Sequence, residues 1–212
     1  MSASEADSPY WGLTRDEVRR FKAMRSPEGI QRFVDEEILY DLEPDGPRCR
    51  SPRLTLVDGV AHCMGGALLA AAALRVLGHP PLLLDFESVR DDDHVLALFR
   101  SKVGGWGAVA KSNYAGLRYR EPVYRTLREL AMSYFDHYYN EAGERTLRAF
   151  STRPVQLKRF DSIGWMTSQD PLWAIPEYLG KIAHTSLLSP SAERRLTLLD
   201  ARCYAAGKTG MR

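Results

Sequence analysis

The chain has 212 residues, of which 44% are hydrophobic and 26% are charged, and its formal net charge at pH 7 is +2. This length suits one globular domain, and the small net charge gives no reason to expect nucleic acid or an anionic membrane as a partner. The longest apolar run, residues 67–77, is interrupted by Arg75 and is too short to span a bilayer.

The N-terminal segment and the cysteines indicate the compartment. Residues 1–8 are polar and acidic, unlike a secretory signal. Cys49, Cys63 and Cys203 form an odd set without the spacing of a metal-binding knuckle. We therefore expect a cytoplasmic protein with reduced thiols, without a metal ion and without an organic cofactor.

The first quarter of the chain predicts two helices followed by a loop. Thr14 and Glu17 have the spacing of a capping box, which begins the first helix. Pro27 stands at the tolerated first position of the second helix. Residues 40–56 are rich in proline, arginine and charge, and we expect an extended loop there.

The next segment decides the predicted fold class. Residues 60–77 are rich in alanine and leucine on every side and are followed by Gly78, which predicts a central buried helix. Three short β-like runs come next, at residues 81–87, 93–101 and 105–110. A buried helix followed by closely connected strands favours an α+β fold, with the helix packed on an antiparallel sheet.

The second half of the chain predicts mainly helix. We expect a long amphipathic helix over 122–139, irregular structure over 150–170 and a helix over 172–183, with the last ten residues frayed. The predicted parts of a single domain (1–212) are a helical element at 9–50, a catalytic core at 51–120, a helical extension at 121–190 and a tail at 191–212.

Cys63 lies in the first turn of the predicted central helix. Unpaired N–H groups and the positive end of the helix dipole favour a thiolate there, and the same amides can bind an oxyanion. Gly65 and Gly66 remove side chains close to the sulfur and leave room for a substrate carbonyl. The alternative is a small buried hydrophobic residue, which is the favoured interpretation of Cys63 on its own.

Two further residues change that balance. His94 begins the second predicted strand, where its imidazole can reach the thiol, and Asn113 follows the third strand, where its amide oxygen can orient that imidazole. Taken singly, His94 is a solvated or satisfied residue at a strand edge and Asn113 is a turn former. Together the order and placement predict a catalytic set of Cys63, His94 and Asn113.

Residues 51–63 and 70–78, the latter ending in Leu-Arg-Val-Leu-Gly, resemble the transglutaminase-like superfamily. In that superfamily a cysteine opens a central helix, and a histidine-led strand and a tryptophan-bearing strand follow; His94 and Trp106 take those places here. The resemblance covers residues 51–114, and the later run to Trp173 looks like an uncharacterised bacterial branch. It implies a papain-like core with a cysteine nucleophile, here with extra helices at both ends.

The sequence departs from the superfamily pattern in its third catalytic member. The acidic residue expected soon after Trp106 is absent, and Asn113 is the best substitute, which makes the set similar to the Cys-His-Asn triad of papain-like proteases. Asp93 and Ser112 are alternatives for the same role.

His62 is a rival to His94 as the base because it adjoins Cys63 in the sequence. Neighbouring residues of a helix point about 100° apart, which favours a structural role for His62. Both histidines therefore stay open as partners of the thiol.

These observations predict thiol-dependent acyl transfer, or hydrolysis of an amide, peptide or ester bond, through a thioester on Cys63. The substrate is left unnamed, and no nucleic acid or membrane partner is expected. One alternative is a non-catalytic binding module that retains the fold and merely buries Cys63. Another is a partner-binding protein that uses the aromatic segment 134–139.

Overall fold

The computed structural model describes residues 10–211, in which helices pack on a seven-stranded antiparallel sheet. The segment 1–9, which holds the predicted polar N-terminus, and Arg212 lie outside the described residues. The α-helices are α1 (Arg15–Ala23), α2 (Pro27–Glu36), α3 (Pro52–Asp58), α4 (Cys63–Val76), α5 (Leu127–Phe135), α6 (Ala174–Leu179), α7 (Pro190–Glu193) and α8 (Ala201–Gly207). The strands are β1 (Leu39–Tyr40), β2 (Val60–Ala61), β3 (Leu82–Ser88), β4 (His94–Arg100), β5 (Trp106–Val109), β6 (Arg120–Tyr124), β7 (Leu147–Ser151), β8 (Val155–Gln156) and β9 (His184–Ser186). Two 3₁₀ helices span Ala115–Leu117 and Leu157–Ile163.

The two predicted N-terminal helices are confirmed, together with their caps. Thr14 Oγ1 accepts the N–H of Glu17 at 3.2 Å, and the Glu17 carboxylate accepts the N–H of Thr14 at 2.6 Å. In α2 the Ser26 hydroxyl accepts the N–H of Gly29, and Pro27 occupies the first turn. Local capping chemistry alone fixes where both helices begin.

The predicted loop over 40–56 is wrong at its end, where α3 forms. Ser51 caps this helix by accepting the N–H of Leu54, and Pro52 occupies its first turn. Gly59 ends the helix in the left-handed conformation, at φ 67°. Helix α2 begins in the same way, with a serine followed by a proline. Before α3 the surrounding arginines and prolines obscure this signal in the sequence.

The predicted central helix and the three strands after it are confirmed within a few residues. Every residue of α4 from Gly65 to Arg75 is buried. The main sheet has the order β6-β5-β4-β3-β7-β9, and β8 also pairs with β3. The α+β class predicted from the sequence is therefore confirmed.

The sheet has two covered faces, and strand alternation decides which side chain reaches which face. On one face Leu83, Val95 and Ala97 pack with α4. On the other face Leu84, Phe86 and Leu96 pack with α5. The register pairs Asp85 with Val95 and Phe86 with His94, so each pair shares a face.

The prediction of a helical extension over 121–190 is wrong in part. The predicted helix over 122–139 divides into strand β6, which pairs with β5, and the shorter helix α5. Strands β7, β8 and β9 add to the sheet, because pairing with β3 and with one another satisfies their backbone groups. The predicted frayed tail contains α8, which is capped by Asp200. No helix in the described part of the chain is long and apolar enough to cross a membrane.

Candidate active site

Cys63 is the first residue of α4, and its sulfur lies among polar groups. Cys63 Sγ is 3.2 Å from His62 Nδ1 and 3.8 Å from the carbonyl oxygen of Asp93. The backbone N–H groups of Met64 and Val95 also donate hydrogen bonds to the sulfur. The thiol therefore sits between the start of α4 and the beginning of β4.

A pocket of about 370 Å³ opens beside this thiol. Cys63, His62 and Val95 line it, and the side of α6 closes it through Pro176 and Leu179. The lining contains five carboxylate residues and, within the described residues, no lysine or arginine. The carboxylates are Glu43, Asp85, Glu87, Asp92 and Asp93. The pocket therefore favours cationic groups over anionic ones.

The surroundings of Cys63 disfavour the thiolate that the sequence predicts. Burial raises the pKa of Cys63 to about 12, and the N–H groups of Val95 and Met64 oppose this effect without overcoming it. Burial also raises the pKa of Cys49 to about 12. At neutral pH the Cys63 thiol is protonated, so any attack by its sulfur requires a base in contact with it.

His62 is in contact with the thiol, although the 100° offset between helical neighbours favoured a structural role for this residue. His62 is the N-cap residue of α4 and has extended backbone angles, so the 100° offset of helical neighbours does not apply to it. Its ring packs against Tyr40, with 5.2 Å between the centroids. This geometry makes His62 the imidazole that can accept the proton of Cys63.

The residue before His94 contacts Cys63 through its carbonyl oxygen, but the His94 imidazole is engaged elsewhere. Its Nε2 is 3.0 Å from the carbonyl oxygen of Leu117, and its ring meets Tyr138 edge-on. A carbonyl only accepts hydrogen bonds, so Nε2 carries the proton and Nδ1 is the free acceptor of the ring. Burial lowers the pKa of His94 to about 4, which keeps the ring neutral.

The imidazole in contact with the Cys63 sulfur is not the predicted one. Among the described residues the sulfur's imidazole neighbour is His62, whereas the His94 ring is on the α5 face together with its cross-strand partner Phe86. Asn113 lies, half-buried, in the segment after β5. The catalytic roles of Cys63, His94 and Asn113 stay predictions.

The two glycines after Cys63 have a different explanation from the predicted one. A Cβ at Gly66 would lie 2.3 Å from Cβ of Lys111, whose buried amine donates to the carbonyl oxygens of Val34 and Ile38 at the end of α2. A Cβ at Gly65 would lie 3.3 Å from Cβ of Ala61. Gly66 thus admits the Lys111 stem rather than a substrate.

A second buried polar pair borders the pocket and was missed from the sequence. His184 Nε2 lies 3.0 Å from Asp85 Oδ2, and the two side chains are 5% and 8% exposed. His184 Nδ1 lies 3.0 Å from the carbonyl oxygen of Ile182 and 3.2 Å from Glu87 Oε1. The one available signal was the alternation of Asp85 and Glu87 along an otherwise apolar strand.

No family model matches this sequence, and the comparison with curated proteins finds no match. Among the described residues, no group of three or more His, Cys, Asp or Glu side chains is placed to hold a metal ion.

Proposed function

We propose that the Cys63 pocket is the active site of a thiol-dependent acyl transferase or hydrolase with a papain-like, transglutaminase-like core. The observation that carries this proposal is the position of Cys63 Sγ, at the start of α4, 3.2 Å from His62 Nδ1 and beside the pocket. Acyl transfer requires a nucleophile in contact with a base and N–H donors that stabilise the oxyanion, and the start of α4 provides both.

In the proposed reaction His62 Nδ1 takes the thiol proton as Cys63 Sγ attacks the substrate carbonyl carbon. General-base attack of this kind suits a thiol whose pKa burial raises to about 12. The N–H groups at the start of α4 stabilise the oxyanion, and collapse of the tetrahedral intermediate leaves a thioester on Cys63. Water or an acceptor amine then releases the acyl group, and the imidazolium of His62 returns the proton to the sulfur.

The predicted base His94 is the rival within this proposal. For His94 to act, its Nδ1 must reach the sulfur from a ring now hydrogen-bonded to Leu117. Its low pKa, about 4, also makes it a weaker base than an ordinary imidazole. We therefore assign the proton transfer to His62, and variants of the two histidines separate the roles.

The test is acyl capture from p-nitrophenyl acetate, with Cys203 replaced by serine because it is the exposed thiol. Intact mass and peptide mapping should place one acetyl group on Cys63, and Cys63→Ala should remove it. Cys49 is the internal control, because it is also buried but its sulfur hydrogen-bonds the carbonyl oxygen of Leu172 instead of contacting an imidazole. His62→Gln should slow acetylation about 100-fold or more, whereas His94→Gln should change it little.

The alternative function is a binding module that merely buries Cys63. The observation in its favour is the low exposure of that residue, 7%, together with its raised pKa. Acetylation of Cys63 no faster than that of Cys49 would overturn the enzymatic proposal and leave the binding module.

A further inference from the structure

We propose that Asp85 is the catalytic acid and base for the leaving group and for water in the Cys63 reaction, and that His184 positions it. This inference rests on the proposed acyl-transfer function. It assigns the proton transfers that the Cys63 and His62 pair leaves open.

Asp85 is on the same side of the sheet as the nucleophile. It lies in β3 directly opposite Val95, whose N–H acts on Cys63 Sγ. Directly opposed residues of antiparallel strands have Cβ atoms about 4.5–5.5 Å apart, so the Asp85 carboxyl is within reach of groups that approach the sulfur. Asp85 also lines the same pocket as Cys63.

His184 holds the Asp85 carboxyl from the side of β9. The carbonyl of Ile182 only accepts, so the contact at 3.0 Å fixes the proton of His184 on Nδ1. Nε2, at 3.0 Å from Asp85 Oδ2, then either donates to the carboxylate or accepts from the carboxylic acid. The pair shares one proton, which the carboxyl can give to or take from a substrate in the pocket.

The surroundings of Asp85 suit this exchange near neutral pH. Burial raises its pKa to about 6, and the hydrogen bond and charge of His184 oppose that effect. The titratable groups that face it are Glu87 on β3, Asp93 before β4, His184 on β9, and, across the pocket, Glu43, His62, Cys63 and Asp92. Since most of these are acidic, they reinforce the protonated form.

With an amide substrate, Asp85 gives one proton in the first half of the reaction and takes one back in the second. The carbonyl C–N bond breaks as the nitrogen takes the proton of the Asp85 carboxylic acid, which leaves the thioester, a free amine and the Asp85 carboxylate. Water then attacks the thioester carbon and gives one proton to Asp85. The C–S bond breaks, and the sulfur takes the proton held by His62, which restores both groups.

The test follows deacylation of acetyl-Cys63, formed with p-nitrophenyl acetate and read by intact mass from pH 4.5 to 9. The wild-type rate should rise as Asp85 ionises near pH 6 and then level off. Asp85→Asn, which keeps the size of the side chain, should slow deacylation at pH 7.5 at least tenfold. In this variant the deacylation rate should no longer reach a plateau above pH 6. His184→Asn should move the rise to higher pH, because it removes the influence that lowers the pKa of Asp85.

Asp91→Asn is the matched control. Burial also raises the pKa of Asp91, but its carboxylate hydrogen-bonds Thr146 and does not line the pocket. Its deacylation profile should match the wild type. Acetyl-Cys63 that deacylates in Asp85→Asn and His184→Asn with the wild-type pH profile overturns this inference and leaves the proposed function standing. A wild-type Cys63 that never acquires the acetyl group overturns both.

Discussion

The two ends of helix α4 both carry buried polar side chains, but those side chains differ in how they are used. At the C-terminal end Arg75 forms two parallel hydrogen bonds to Asp161, at 2.6 and 2.7 Å, and stacks on Trp11. At the N-terminal end Cys63 and His62 face an open pocket. The C-terminal end is therefore a closed end, because the charge of Arg75 is paired within the protein. The N-terminal end is an open end, because Cys63 and His62 stay accessible to a ligand in the pocket.

The difference follows from charge and from space. Arg75 is a cation at the negative end of the helix dipole, and Asp161 and the ring of Trp11 enclose it. The thiol at the positive end has N–H donors around it, but burial keeps it neutral. The closed end therefore stabilises the fold, and the open end is where chemistry can occur.

The largest expected effect on stability is at the closed end. Arg75→Ala removes both charge-assisted hydrogen bonds to Asp161 and the stem that packs on Trp11, so we expect a loss of about 3 kcal/mol in the free energy of unfolding. Urea denaturation measures it. Arg19→Ala, which breaks an exposed pair with Asp16, should change stability by less than about 0.5 kcal/mol. Equal midpoints for the two variants would contradict a structural role for Arg75.

The next effect is pH-dependent and belongs to His94. Its folded pKa of about 4 lies below the unfolded value of 6.5, so the unfolded chain binds more protons between these values. Stability should fall as the pH drops from 6.5 to 4, by about 3 kcal/mol from this group. His94→Gln keeps a donor for the Leu117 carbonyl and should lose most of this dependence. Denaturation curves at several pH values measure the free energy of unfolding of both proteins. If it depends on pH in the same way in the wild type and in the variant, His94 is not the group responsible.

Gly66→Ala should destabilise the open end by about 1–3 kcal/mol, because the new methyl group meets the Lys111 stem at 2.3 Å. Gly65→Ala is the matched control. Its methyl group meets Ala61 at 3.3 Å, and the gain of about 1 kcal/mol in helix propensity offsets that contact. Thermal unfolding of the two variants tests the comparison. If Gly66→Ala is as stable as Gly65→Ala, the close approach of Lys111 does not explain the glycine.

The smallest expected effect on stability is that of Cys63 itself. Cys63→Ala should reduce the free energy of unfolding by no more than about 1 kcal/mol, because it removes one sulfur beside an open pocket. Acyl capture should nevertheless disappear completely. Chemical denaturation and intact mass on the same sample measure both. A loss above about 3 kcal/mol would indicate that Cys63 is a packing residue.

Local signals predicted the parts of this fold that depend on neighbouring residues. The capping box at Thr14, the proline that begins α2 and the apolar segment of α4 each act within a few positions along the chain. The strands after α4 were predicted for the same reason. Strand β6 was mistaken for part of a helix, because its identity depends on pairing with β5.

The candidate site was likewise predicted only in its local part. The sequence indicated Cys63 as a residue at the start of a buried helix, and it left His62 and His94 as rival bases. The structure separates them by the face of the sheet, since alternation along β4 turns the His94 ring away from the side on which Val95 lies.

The sequence by itself determined the α+β class, the central helix and the place of Cys63 at its start, because capping and hydrophobic periodicity are local properties. Only the tertiary structure decided which groups meet at the pocket. Asp85 and His184 lie 3.0 Å apart although β3 and β9 are distant along the chain, and no local pattern encodes that contact. The pKa of Cys63 was likewise decided by burial, which exceeds the favourable influence of a helix end because removing a charge from water costs more than nearby amides restore.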